Sequence, residues 1–426
     1  MTRKLLDDCF LHDKDRLRHN EVLTILRDRL TAIAGDEYVS LDDALGRIAA
    51  EDVRAPRNVP AYDNSAVDGY AVRHADLNDN APTTLFVAMR VAAGHPAREP
   101  LPAASAARIF TGAMMPAGAD TVVMQEDCDA GESDEIEDLK QVTIPIGLKP
   151  GANRRRAGED LAEGATLIDP GQVFRPQDVA AAASVGRGSV RCFKKLKVAV
   201  YSSGDELVEA GGTLGQGGVF DSNRPLLKAL LQTLPVEVVD LGILADKAGT
   251  VRDALKQAAE TADVVITSGG ASRGEEDHLI ESLEALGKRH LWQIAIKPGR
   301  PMAMGQIGDT PIFGLPGNPV AAFVCFLLYV RPALFKLGGA LWFEPRRFTL
   351  PAAFEIEKKK ADRREFYRGL LVPGPDGLTA DKFSRDGSGL ISGLRAADGL
   401  IEIPEAATSI SRGEPVAFIP FGELGL

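Results

Sequence analysis

The sequence predicts a multidomain α/β protein in which one parallel-sheet unit is flanked along the chain by β-rich segments. The chain has 426 residues, which sets a prior of about three domains. Between residues 196 and 339, apolar strand-like runs alternate with helix-like runs. That rhythm belongs to a parallel sheet covered by helices on both faces. Before and after this region, short alternating segments are broken by many Gly and Pro, as in small sheets joined by tight turns.

Taken in order, residues 21–34 predict a helix, because Val22, Ile25, Leu26, Leu30 and Ile33 recur at helical spacing. A short helix is expected after Ser40, with Leu41, Ala44, Leu45 and Ile48 on one face. Residues 53–60 are extended and Pro-punctuated, and short strands follow, for example 108–110 and 121–125. The acidic stretch 126–138 reads as a solvated turn. An Ala-rich helix is expected at 176–185. In the α/β region the strands are LKVAVYSSG, VEVVDLGIL, DVVITSGG and PIFGLPG, with helices at 224–234, 251–262 and 278–286. Ligands of such sheets sit beyond the carboxyl ends of the strands. Residues 342–426 read as a small β-barrel or sandwich.

Composition narrows the function. Lys and Arg total 49 against 60 Asp and Glu, a net charge of −11. A chain this acidic is a poor nonspecific partner for nucleic acid or an anionic membrane, and neither is expected. The longest apolar run, 320–330, is short for a bilayer span and predicts a buried helix. The N-terminus alternates charges without an apolar segment, so no secretory signal is expected. Cys9, Cys128, Cys192 and Cys325 are far apart and form no CxxC pair. They are expected to be reduced thiols of a cytoplasmic protein.

Six segments carry chemistry. In NSAVDGYAV, preceded by Asp63, the residues Asp63 and Asp68 are either turn residues or carboxylates at the mouth of a cleft. SSGDEL follows an apolar strand; Ser203 and Gly204 present backbone N–H groups to an anion, while Asp205 and Glu206 put negative charge beside it. Mg²⁺ between carboxylate and phosphate would reconcile the two, and helix capping by Asp205 is the alternative. SGGASRGEEDH repeats the pattern with Ser268, Gly269, Gly270 and the acids Glu275, Glu276 and Asp277. IKPGRP places Lys297 and Arg300 in a Pro-stiffened loop. LPGNP, with Pro316, Asn318 and Pro319, starts a helix whose dipole favours an oxyanion, or simply initiates that helix. Finally Arg363, Arg364 and Arg368, with Ser388 and Ser392, suit a tetrahedral oxyanion or an exposed basic strand face. The run 154–156 is a basic patch with the character of a salt-bridged contact.

Together, DNSAVDGYAV, FTGAMMPAGADTVVMQE, NRRRAGED, SSGDEL, FDSNRP, SGGASRGEEDH, IKPGRP and LPGNP resemble one family over residues 21–426. It is the molybdopterin molybdenumtransferases, MoeA in bacteria and the E domain of gephyrin in animals. The resemblance implies an L-shaped homodimer of four-part chains. The parts are a discontinuous first domain (1–54 with 149–190), an inserted β-rich lid (55–148), a MogA-like three-layer molybdopterin-binding domain (191–340) and a C-terminal β-barrel (341–426). It implies a cleft between subunits where Asp63 faces Glu206, Asp246 and Asp277 as catalytic residues, the last three also holding Mg²⁺. Adenylylated molybdopterin would bind on Ser203, Gly204, Ser268, Gly269 and Gly270, with Thr111 from the inserted part. Molybdate would sit near Lys297, Arg300, Arg363 and Ser388, with Pro316, Pro319 and Arg368 completing the substrate site. The implied reaction inserts molybdate into the dithiolene with release of AMP. An upstream adenylyltransferase and downstream molybdoenzymes are the implied pathway partners. Arg300 stands where the family commonly has Lys, and Asp362 where it usually has Gly. A pterin adenylyltransferase and a non-enzymatic scaffold are the competing readings. The extra domains argue against the first, and the intact acidic set argues against the second.

Overall fold

The computed structural model describes residues 16–129, 141–269 and 278–426. The chain opens with the helix His19–Arg29, whose Val22, Leu23 and Leu26 are buried. It stops at Arg29, short of the expected residue 34. Beyond it the amides of Ile33 and Ala34 donate to the Leu337 carbonyl at 2.8 and 3.4 Å, so a tertiary acceptor replaces the helical one. The helix expected after Ser40 is one 3₁₀ turn, Leu41–Asp43, capped where Ser40 Oγ accepts from Asp43 N at 3.3 Å.

Strand Asp36–Ser40 pairs antiparallel with Ser189–Phe193, and Val53–Arg54 with Thr166–Ile168. Ala44, Ala49, Val53, Ile168, Phe174, Val190 and Cys192 share one core. Residues from both sides of the intervening stretch therefore build one unit. Within that stretch lies a five-stranded sheet in the order Thr121–Met124, Gly69–Val72, Ser105–Ile109, Thr83–Val91, Gln141–Ile144. Alternate residues of Gly69–Val72 enter different cores: Ala71 packs with Ile109 and Val122, while Tyr70 and Val72 pack with Val123 and Ile144.

The α/β unit contains a six-stranded sheet in the order Val236–Leu244, Leu196–Ser203, Val264–Ser268, Thr310–Leu315, Pro301–Ile307, Lys288–Gln293. The first four strands are parallel, as expected. The last two are antiparallel additions that the period did not reveal. Val198 and Val200 face one core with helices Asn223–Gln232 and Pro319–Cys325, whereas Ala199 and Tyr201 face the other with helices Ala248–Thr261 and His278–Leu286. This gives three layers. The run Pro319–Leu337 is long and apolar enough to cross a membrane, but 78% of its apolar window is buried within this structure. Each buried Leu or Phe there contributes roughly 1.5–3 kcal/mol.

A second six-stranded sheet is formed by Ile296–Lys297, Arg364–Gly374, Gly399–Ile403, Pro415–Pro420 and Phe348–Pro351, with Gly377–Lys382 also on Arg364–Gly374. Ile296–Lys297 comes from the α/β segment, so two units meet edge to edge at Lys297↔Glu365. His19 seals this junction. It is fully buried, forms a 2.8 Å hydrogen bond through Nδ1 with Tyr329 OH, and meets Phe366 edge-on at 5.3 Å. Burial, then Arg364 and Arg347, pushes its pKa down to about 3, so the ring is neutral.

Candidate functional site

Two clusters gather most of the predicted residues. The first lies at the carboxyl ends of Leu196–Ser203, Val236–Leu244 and Val264–Ser268. Ser203 Oγ donates to Asp246 Oδ1 at 3.2 Å, and Asp246 N donates to Asp205 Oδ1 at 2.9 Å. Asp205 thus ties two strand ends together and caps no helix. Gly204, with φ +156°, leaves room for Glu206; a Cβ there would meet Glu206 Oε2 at 2.7 Å. Gly269 has φ +91°, and a Cβ on it would fall 2.4 Å from the Ser203 carbonyl, so glycine is required for the two loops to touch. Gly270, Glu275, Glu276 and Asp277 lie outside the described residues. Among the described residues, no group of three potential ligands converges on a metal position. The donors present, Ser203 Oγ and the carboxylates of Asp246 and Glu206, are all oxygen, as Mg²⁺ prefers.

Asn223, from the segment FDSNRP, is a residue that the motif chemistry does not single out. Its Nδ2 donates to Ser268 Oγ and to the Gly317 carbonyl, both at 2.7 Å, pinning two strand-end loops together. Nearby Arg224 is buried and held by Asp221 at 3.3 Å, Asp240 at 2.6 Å and Glu209. The sequence signal was available: a polar Asp-Ser-Asn triplet directly before an apolar helix.

The second cluster is a cavity of about 290 Å³ between the α/β and C-terminal units, lined by Lys297, Arg300, Pro316, Arg363, Arg368 and Ser388, among others. Six residues predicted from four separate segments thus share one space. The Lys297–Pro298 peptide is cis. Gly299 has φ +106°, and a Cβ on it would fall 2.4 Å from Cys325 Sγ, so only glycine lets this loop lie on the buried helix. Pro319 opens that helix, with Asn318 at the cap position but making no side-chain cap bond. Instead the Ser388 carbonyl accepts from Val320 N at 3.0 Å. Arg300 contacts Gln293 Oε1 at 3.2 Å. Arg368 donates to the carbonyls of Leu390 (3.0 Å) and Arg385, so it holds the loop that carries Ser388. Arg364 is spent elsewhere, on Glu402 at 2.6 Å and Glu405 at 2.9 Å.

Glu365, a residue the motifs did not single out, sits buried among these cations. Its Oε1 accepts from Arg363 Nε at 2.8 Å and its Oε2 from Tyr367 OH at 2.5 Å, with Lys297 Nζ 3.7 Å away. Burial pushes its carboxyl up, but Tyr367, Arg363 and Lys297 outweigh burial and hold it below the ordinary range. Beneath Arg363, Lys359 Nζ donates to the Arg363 carbonyl at 2.7 Å and also to the carbonyls of Lys360 and Glu405. Asp362 takes φ +68°, the conformation for which glycine is the natural residue, and Arg363 still reaches the pocket.

In the inserted sheet, Thr111 N and Oγ1 both donate to Asp68 Oδ1 at 2.7 Å. These two bonds hold the Asp68 carboxyl below its usual value. Asp63 accepts from Ala157 N at 2.8 Å and pairs with Arg154 at 3.6 Å, so the basic run closes a contact within the chain. Cys128, Cys192 and Cys325 are free thiols.

Fold and site together define a class: a multidomain α/β protein with an oxygen-rich strand-end cluster and a separate pocket lined by several cationic side chains. Residues 17–186 match the family described as MoeA N-terminal region (domain I and II), 199–336 the one described as "Probable molybdopterin binding domain", and 349–421 the MoeA C-terminal region (domain IV). A molybdopterin molybdenumtransferase of Haemophilus influenzae is 41% identical over 91% of this chain and 94% of its own. One from Nostoc is 35% identical over 89% and 87%. The crystal structure of a molybdopterin biosynthesis MoeA protein from Pyrococcus horikoshii superposes with a TM-score of 0.81 at 29% identity, covering 95% of this chain and all of that one. The chain belongs to the molybdopterin molybdenumtransferase (MoeA) family, and it is a transferase.

Proposed function

We propose that this transferase inserts molybdate into adenylylated molybdopterin and releases AMP, completing the molybdenum cofactor. The observation that carries the reading is the convergence of Lys297, Arg300, Arg363 and Ser388 on one cavity, since a tetrahedral dianion needs several donors around a compact space. In this reading the strand-end loops of Ser203, Gly204, Ser268 and Gly269, with Gly270, receive the phosphates, and Thr111 approaches from the inserted lid. The Arg and Lys donors hold molybdate while the two dithiolene sulfurs displace oxygen from molybdenum, which leaves as water with the thiol protons, and a water molecule cleaves the phosphoanhydride into AMP and the pterin phosphate. Glu206 and Asp246, with Asp277, would hold Mg²⁺, which would neutralise phosphate charge. Asp63 would complete the cleft from the second subunit of a homodimer.

The same reading divides the chain at 54, 148, 190 and 340, makes the last part a barrel and places the enzyme in the cytoplasm between an adenylyltransferase and the molybdoenzymes. A cavity that needs the C-terminal sheet supports a transferase over a pterin adenylyltransferase, for which the α/β unit alone would suffice. The test is anaerobic AMP release from adenylylated molybdopterin with molybdate and Mg²⁺, for the wild type and Asp63→Asn. Molybdate-dependent release that falls at least tenfold in the variant, with dimer and pterin binding retained, is expected. No release from the wild type refutes the reaction, and an unchanged variant reduces Asp63 to a turn residue.

A further inference from the structure

We infer that Glu365 is a built-in counter-charge that tempers the affinity of the cationic cavity for dianions, so that a bound oxyanion is handed on rather than trapped. The inference rests on the oxyanion reading of the pocket above. Its ground is geometric. Glu365 is 2% exposed, yet it lines the cavity. Both of its oxygens are engaged by groups on the cavity wall: Arg363 on Oε1, Tyr367 on Oε2, and Lys297 at 3.7 Å. It therefore offers an incoming anion a fixed negative charge and neutralises part of the cationic lining in advance. The other carboxylate of the lining, Asp386, is exposed and paired with Lys382 at 3.2 Å, where water screens it.

Two effects of removing the Glu365 charge oppose each other. Lys297 and Arg363 lose a tether, and ordering these two side chains is worth about a hundredfold in binding at most. Against this, a buried unit charge about 6 Å from a dianion changes binding by more than about a thousandfold at an effective dielectric of about 20. The second effect is the larger, so neutralising the residue strengthens dianion binding.

The test is calorimetric binding of molybdate and of perrhenate, a tetrahedral anion of similar size with half the charge, to the full-length protein. Glu365→Gln is expected to bind molybdate at least tenfold more tightly, with a logarithmic gain about twice that for perrhenate. Tyr367→Phe, which removes the hydroxyl that partly shields the carboxylate charge, is expected to weaken molybdate about threefold, again with about twice the logarithmic effect seen for perrhenate. Weaker or unchanged molybdate binding in Glu365→Gln overturns the inference, as do equal changes for the two anions in either variant. If Glu365→Gln does not fold, the anion comparison in Tyr367→Phe decides alone. A wild type that binds neither anion overturns the pocket reading itself.

Discussion

Replacing Gly299 by Ala tests how the cationic loop is seated. Two costs are legible. The residue has φ +106°, which for a residue with a Cβ costs on the order of 1–2 kcal/mol. The new Cβ would also lie 2.4 Å from Cys325 Sγ and 3.2 Å from Ile296 Cδ1, an overlap in a close-packed core worth about 1–3 kcal/mol. The expected destabilisation is about 2–5 kcal/mol, with molybdate affinity reduced because Lys297 and Arg300 flank the displaced residue. Cys325→Ala removes the nearer obstacle but leaves the dihedral cost. In that background Gly299→Ala is expected to cost about 1–2 kcal/mol. Urea unfolding of the four proteins in this cycle measures the coupling. Equal costs in the two backgrounds would show that the sulfur contact is irrelevant and that the loop is not held by the helix as described.

Two further outcomes follow from the same structure. Asn223→Ala leaves Ser268 Oγ and the Gly317 carbonyl without their 2.7 Å partner; a loss of about 1–3 kcal/mol is expected, with faster amide hydrogen exchange in the loop that carries Gly317. His19 falls from 6.5 to about 3 on folding, so between these values the unfolded chain binds the extra proton and stability declines as pH falls. The contribution is intact above pH 6.5 and costs up to about 4–5 kcal/mol by pH 3. His19→Asn should flatten stability from pH 6.5 to 4, and an unchanged acid profile would refute the assignment.

The parallel core of the α/β unit was legible because three of its four strands are continuous apolar runs ending in Gly or Ser, a pattern dictated by burial on both faces. Val236–Leu244 and His278–Leu286 coincide with their expected bounds. The antiparallel strands Pro301–Ile307 and Lys288–Gln293 were not legible, since their identity comes from pairing with a neighbour rather than from their own period. The cationic residues Lys297, Arg300, Arg363 and Arg368 were recognisable one by one, because charged residues beside Gly and Pro stand out in a chain. Glu365 was not. A glutamate inside a strand looks like any surface glutamate until its burial is known.

The sequence by itself determined the layered α/β unit, the glycines that let loops approach closely and the kinds of donor available, because these depend on local periodicity and on the chemistry of individual side chains. Tertiary structure alone decided that Ile296–Lys297 leaves the α/β segment to become an edge strand of the C-terminal sheet. That pairing brings Lys297 beside Glu365, 68 positions further along the chain, and it creates the cavity. The physical reason is that an electrostatic pocket depends on distances between groups remote in the chain, which only the packing of two sheets against a shared core can set.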